Sequence, residues 1–269
     1  MAGSGDFRRL PCGHRAVYLP ETPSTNAHAM RLAIGGERPP LWVWAGRQTK
    51  GRGRLGRSWD SPEGNLHASL LVDPPANTTV IGGLPLMAGL AARDAIAAVA
   101  EGAPVPERLR LKWPNDVMVD GAKLGGVLIE SLVMDDGSRL AVIGTGLNLG
   151  AAPAVAGRSI TCLCEYGVAV TPAEMLAALA EATARWLDVW AGGTGFAEIR
   201  GAWLHHADPL GAPISVTLGS EQFTGRFGGL DETGALRLRV GDGERRFAAG
   251  DVVAGWTAPD MQITKAEHE

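Results

Sequence analysis

The chain of 269 residues predicts an α+β fold: a mixed, mostly antiparallel sheet flanked by helices, followed by a small β-barrel. Three observations predict this. Apolar-alternating runs joined at Asp120-Gly121 and Asp135-Asp136-Gly137 read as consecutive hairpins, which belong to antiparallel or mixed sheets and not to a doubly wound parallel one. Segments 79–100 and 172–190 carry apolar residues at helical spacing. After residue 210 the chain changes to short alternating strands separated by Leu218-Gly219-Ser220, Asp231-Glu232-Thr233-Gly234 and Gly241-Asp242-Gly243, which reads as a barrel of about five strands.

In chain order, residues 1–15 read as a loose lead-in and Ala16–Pro20 as a short strand. Thr22-Pro23-Ser24-Thr25-Asn26 opens a helix with Ala27, Met30 and Ile34 inward; Ser24 or Thr25 caps it and Gly35-Gly36 stops it. Capping alone explains a hydroxyl there. A hydroxyl pair at a helix N-terminus can also hold a small polar ligand, because free amides point the same way. Leu41–Gln48 and Asn65–Asp73 read as strands. The second has Leu66, Ala68, Leu70 and Val72 on one face, His67 and Ser69 on the other. Thr79–Ala100 reads as a helix and Leu109–Trp113 as a strand stopped by Pro114. Hairpin arms follow at Val117–Asp120, Lys123–Met134 and Arg139–Leu149. Thr171-Pro172-Ala173-Glu174 is a capping box, and its helix runs to about Trp190. A second helix spans Phe196–His206; His205-His206 at its end suits the helix C-terminus better than a metal.

The stretch Gly51-Arg52-Gly53-Arg54-Leu55-Gly56-Arg57 carries the clearest chemistry. Its glycines let the backbone approach a ligand, and Lys50, Arg52, Arg54 and Arg57 suit a phosphate or carboxylate. Trp59 just beyond offers a face on which a base can stack. A solvated basic loop would look the same locally. A P-loop is excluded, because neither a Gly-Lys-Ser/Thr ending nor a following helix is present. Gly125-Gly126, Gly144 and Gly146 interrupt neighbouring strands, which predicts a flat surface left clear for something planar and apolar. Lys123 stands at the start of the first of these strands.

Net charge −4 argues against nucleic-acid binding driven by bulk electrostatics. Three cysteines, Cys12, Cys162 and Cys164, give no disulfide framework and fit a reducing cytoplasm. The Cys-x-Cys pair reads as two small buried apolar groups on one face of a strand. No signal peptide and no run of ~18 apolar residues is visible.

Taken together, Ser24-Thr25-Asn26, Gln48 with the Gly/Arg loop, Lys112-Trp113-Pro114-Asn115-Asp116, Lys123-Leu124-Gly125-Gly126 and Gly144-Thr145-Gly146-Leu147-Asn148 resemble, in order and spacing, the biotin protein ligases. The resemblance covers roughly residues 16–256. It implies that the part before the change of character near 210, residues 1–210, is a catalytic domain of the kind shared with lipoate ligases and that 211–258 is an SH3-like β-domain; the tail over 259–269 reads as disordered from its sequence. It implies attack of the biotin carboxylate on the α-phosphate of ATP, with Mg²⁺, to give biotinoyl-5′-AMP. The lysine of a biotin carboxyl carrier domain, that of acetyl-CoA carboxylase and related carboxylases, then takes the biotin.

The resemblance also implies roles. Lys123, Arg54 and Asp116 would be catalytic. Ser24, Thr25, Asn26, Gln48, Gly51, Arg52, Gly53, Arg54, Lys123, Gly126 and Gly146 would surround biotin. Arg52, Arg54, Arg57, Trp59, Lys112, Asn115, Asp116, Lys123 and Asn148 would meet ATP. Asp116 would serve either Mg²⁺ or the incoming amine, and both roles stay open. His67 stands where the family usually has an aromatic such as Tyr. About fifteen residues precede the match, too few for a winged helix, so an enzyme without DNA binding is expected. A homodimer stays open. The rivals are a cysteine-dependent octanoyltransferase or lipoate ligase on the same fold, and an RNA-binding module built on the basic loop.

Overall fold

The computed structural model describes residues 7–74 and 83–254. In chain order the body contains β1 (Arg8–Arg9), β2 (Arg15–Thr22), α1 (Thr25–Ile34), β3 (Leu41–Gln48), β4 (Leu66–Val72), α2 (Leu84–Val99), α3 (Val105–Arg108), β5 (Leu109–Lys112), β6 (Asp116–Val119), β7 (Ala122–Val133) and β8 (Arg139–Leu147). Then come α4 (Pro172–Trp190), α5 (Phe196–His206), and β9 (Pro213–Leu218), β10 (Glu221–Leu230), β11 (Leu236–Val240), β12 (Gly243–Phe247) and β13 (Asp251–Ala254).

The first eight strands form one sheet in the order β1-β2-β3-β4-β8-β7-β6-β5, antiparallel except for the β2–β3 pair. Alternation along β4 sets its two faces. Leu66, Ala68, Leu70 and Val72 join the core under α2, α4 and α5, whereas Leu71 packs with Val43, Val142 and Ala29 beneath α1. The capping box at the start of α4 forms as expected: Glu174 N donates to Thr171 Oγ1 at 3.3 Å, and Thr171 N donates to Glu174 Oε2 at 2.8 Å.

The last five strands form a second sheet, β12-β11-β10-β9-β13. Ile214, Val216, Leu236 and Leu238 continue the same core as the body. Trp113 pins the two sheets together. It is buried, and its Nε1 donates to the Gly234 carbonyl at 3.1 Å. Burying so large an aromatic with its N–H satisfied fixes the small sheet beside the end of β5.

Several expectations need correction. Residues 7–15 are not a loose lead-in: Arg8 and Arg9 pair with Ala16 and Arg15, and Gly13 closes the turn at φ 84°. The C-terminal strands form one five-stranded antiparallel sheet, and among the described residues no ladder joins β13 to β12. The second helix begins at Leu84; the expected turn at 79–82 and the tail at 259–269 lie outside the described residues. Cys162 and Cys164 are not on a strand. Cys162 precedes a short 3₁₀ turn, Leu163–Tyr166, that contains Cys164.

Candidate active site

One irregularity in the sheet decides where Lys123 points. Along β6 and β7, Met118 pairs with Lys123, Val117 with Gly125 and Asp116 with Gly126, so Leu124 is an extra residue. Without that bulge, positions 123 and 126 would face opposite sides. With it, Lys123 and Gly126 share a face: a Cβ added at Gly126 would lie 3.1 Å from Lys123 Nζ. Both open into a cleft of ≈ 830 Å³. The cleft is bounded by the N-terminus of α1, the Gly/Arg loop, β6–β8, residues 153–160, and Asp251 and Val252 of the small sheet.

Almost every residue singled out in the sequence meets at this cleft. Ser24, Thr25, Asn26, Gln48, Arg52, Gly53, Arg54, Arg57, Trp59, Lys112, Asn115, Asp116, Lys123, Gly126, Gly146 and Asn148 all line it. Gly51 does not. A Cβ there would sit 2.4 Å from the Trp59 carbonyl, so its glycine is required by the loop's own packing, in which Trp59 N donates to the Gly51 carbonyl at 3.0 Å.

At one end the walls are polar and mostly buried. Gln48 Oε1 accepts from Thr25 N at 2.9 Å and Thr25 Oγ1 at 3.1 Å, while Gln48 Nε2 donates to Ser61 Oγ at 3.0 Å. Ser69 Oγ lies 2.7 Å from Thr25 Oγ1 and 2.6 Å from Asn26 Oδ1. Asn26 Nδ2 donates to Glu130 Oε2 at 2.7 Å, and Glu130 Oε1 accepts from Arg52 Nη2 at 2.9 Å. The chain Gln48–Thr25–Ser69–Asn26–Glu130–Arg52 thus links α1 to the basic loop across the sheet. Ser24 caps α1, accepting from Ala27 N at 3.4 Å.

The expected open glycine surface is covered. Gly125 faces the opposite side, where a Cβ would meet Leu147 at 2.5 Å. Asn26 rests on Gly144 and the Trp59 indole on Gly146; added Cβ atoms would meet them at 2.3 and 2.5 Å. The glycines therefore seat side chains against bare backbone. Among the described residues, Trp59 Nε1 is buried without a partner, and so is Nδ1 of His67, which neighbours Gly146 across β4–β8. Burial lowers the His67 pKa, against a weak contact of Nε2 with the Pro62 carbonyl at 3.4 Å.

The other end is cationic. Lys123 Nζ donates to Asp116 Oδ1 at 2.5 Å, and Lys112 Nζ lies 3.3 Å from Asp116 Oδ2. Lys123 also stands 5.4 Å over the Trp59 ring. Arg54 donates to Asn115 Oδ1 at 3.3 Å and to the Gly250 carbonyl at 3.2 Å. Arg57 pairs with Asp251. Burial lowers the Arg54 pKa, against the Asp251 and Asp116 charges. Burial of Asp251 is outweighed by its bond to Arg57 and by the charges of Arg57, Arg54 and Arg158, so its pKa falls.

Both asparagines expected at the nucleotide already use one amide N–H within the protein. Asn115 Nδ2 donates to the Val127 carbonyl at 2.5 Å; Asn148 Nδ2 donates to the Thr161 carbonyl at 3.1 Å. Asp116 is a poor seat for a protein-held metal. Both its oxygens face ammonium groups, and no group of three His, Cys, Asp or Glu side chains converges among the described residues.

Sequence reasoning missed Glu130, Ser61, Asn65 and Asp251. Glu130 follows Gly126 and Leu128 on one face of β7, a period-two signal that could have found it. Asn65 Oδ1 accepts from Leu149, Gly150 and Ala151 N at 2.9–3.1 Å and holds the turn after β8. Asp251 had no local signal.

Residues 18–148 match the Biotin/lipoate A/B protein ligase family and residues 210–255 the Biotin protein ligase C terminal domain. A biotin–[acetyl-CoA-carboxylase] ligase of Paracoccus denitrificans is 39% identical over 88% of this chain and 99% of its own length. The chain belongs to the biotin protein ligase family. A second relative of the ligase, from Mycobacterium tuberculosis and of the same description, is 33% identical over 94% of this chain and 91% of its own. Among solved structures, the Aquifex aeolicus biotin protein ligase in complex with biotin and ATP superposes with a TM-score of 0.75 at 29% identity. That likeness covers 90% of this chain and 99% of the other.

Proposed function

We propose that this chain activates biotin with ATP to biotinoyl-5′-AMP and transfers the biotin to a lysine of a biotin carboxyl carrier domain, that of acetyl-CoA carboxylase. The observation that carries the reading is a single cleft with a mostly buried hydrogen-bonding end and a cationic end, in a chain of this family. A small neutral head group rich in N–H and C=O suits the first; a carboxylate meeting a triphosphate needs the second.

The residues divide accordingly. Ser24, Thr25, Asn26 and Gln48 hold the ureido ring, and the Trp59 indole, resting on Gly146 with its N–H unpaired among the described residues, walls the pocket. Lys123 is released from Asp116 to meet the biotin carboxylate and the developing charge. Arg52, Arg54, Arg57 and Lys112 screen carboxylate and phosphates, since such transfers are catalysed mainly by position and charge. Mg²⁺ bound with the nucleotide would supply charge neutralisation on the phosphates, and Asp116 would accept a proton from, or orient, the acceptor amine. Loop 51–58 closing on the adenylate excludes water. The sparse cysteines support a cytoplasmic setting. A thiol-dependent acyltransfer is disfavoured, because neither Cys162 nor Cys164 is among the described residues lining the cleft.

The test is incubation of purified protein with radiolabelled biotin, ATP and Mg²⁺. Formation of the acyl-nucleotide, and labelling of an added carrier domain, is the expected result. No acyl-nucleotide in the presence of all three ends the proposal.

A further inference from the structure

Outside the cleft, one cluster of reactive side chains is unexplained. Cys162 Sγ and Cys164 Sγ touch at 2.6 Å. Cys162 is buried and Cys164 is exposed, its Sγ also 3.3 Å from the Gly150 carbonyl. The segment carrying them is tied to the floor of the cleft from two sides. Lys123 N donates to the Ser159 carbonyl at 2.8 Å, and Thr161 N donates to the Lys123 carbonyl at 3.0 Å. Leu163 N donates to the Asn148 carbonyl at 3.1 Å, and Cys164 N to that of Leu149 at 2.9 Å. Residues 159–164 therefore form a strap that positions Lys123 and Asn148 through their backbones.

We propose that Cys162 and Cys164 are a dithiol modification site, closed into an intrachain disulfide by low-molecular-weight disulfides, and that the strap transmits this change to Lys123.

The chemistry balances without a protein cofactor. The Cys164 thiolate attacks one sulfur of the small disulfide RSSR and expels one thiolate. Cys162 then gives its proton to solvent and attacks Cys164 Sγ, expelling the second. Two protein thiols are oxidised and RSSR is reduced to two RSH. The order follows from access: Cys164 meets solvent, whereas burial and the neighbouring sulfur push the Cys162 thiol up to about 11. Cysteines separated by one residue close a small, strained ring, and such disulfides are the readily reduced, reversible kind. In a reducing compartment, disulfides of this kind serve sensing and not scaffolding.

The experiment titrates the reduced protein with oxidised glutathione and follows intact mass, peptide maps and amide hydrogen exchange. The expected product is lighter by two hydrogens, cross-linked at 162–164, with Cys12 still alkylatable, and dithiothreitol restores the starting mass. Cys162→Ser stops at a glutathione adduct on Cys164. Exchange at the Lys123 and Thr161 amides slows several-fold on oxidation, because the cross-link restrains opening of the strap. A wild-type protein that stops at the glutathione adduct, or whose Cys164 does not react, overturns the site. A disulfide that leaves exchange at Lys123 and Thr161 unchanged overturns the coupling.

Discussion

Lys123 Nζ donates to Asp116 Oδ1 at 2.5 Å across the bulged β6–β7 pair. The lysine is thus held in the cleft by a carboxylate, whose place a substrate carboxylate takes in the proposed reaction. Lys123→Ala removes the cation proposed to meet the developing charge. Adenylate synthesis, read as pyrophosphate release from biotin and ATP, should fall roughly 10²–10³-fold, the size seen when one preorganised donor is lost. A near-normal rate would show that Lys123 serves only the fold.

Arg54 is the loop cation most embedded in the rest of the protein, reaching both Asn115 and the Gly250 carbonyl. Arg54→Gly removes those anchors and leaves loop 51–58 open. Retention of the adenylate should drop about 10–10²-fold, the worth of one or two charged hydrogen bonds. Bystander proteins mixed with the variant should then acquire biotin on surface lysines. If they remain unlabelled while the intermediate still forms, another segment retains it.

Glu130 holds Asn26 and Arg52 at once. Glu130→Gln keeps the shape and removes the charge that orders Arg52. The KM for biotin should rise about tenfold, corresponding to ~1.4 kcal/mol, with the KM for ATP changed far less. Equal changes in both constants would assign Glu130 to the loop as a whole.

Asp251 fastens the loop to the small sheet through Arg57 and, at 3.9 Å, Arg54. Its folded pKa lies below the usual 3.8, so the contribution is complete above 3.8 and is lost as pH falls through the folded value. Asp251→Asn should therefore speed proteolysis of loop 51–58 at neutral pH. The difference from wild type should vanish at pH values under the folded pKa. A difference that persists there would have another origin.

His67 is buried, its Nδ1 without a partner among the described residues, and burial lowers its pKa below 6.5. The unfolded chain binds the proton more readily, so stability is present above 6.5 and falls as pH drops below it. In urea titrations at pH 7 and pH 5, His67→Phe should lose less stability between the two than wild type. Identical losses would place the acid sensitivity on other histidines.

Local sequence determined most of the secondary structure and, through five short motifs, most of the residues that meet in the cleft. Caps, turns and alternation act over a few residues, so Thr171–Glu174, Asp120-Gly121 and the two faces of β4 were legible at once. Tertiary structure alone decided what those residues touch. The bulge at Leu124 turned Lys123 towards Asp116, and Trp59 and Asn26 settled on glycines that the strand pattern left bare. Asp251 reached Arg57 from 194 positions away because Trp113 anchors the second sheet beside the first. Contacts between segments far apart in the chain depend on how whole sheets pack, and no window of neighbouring residues encodes that.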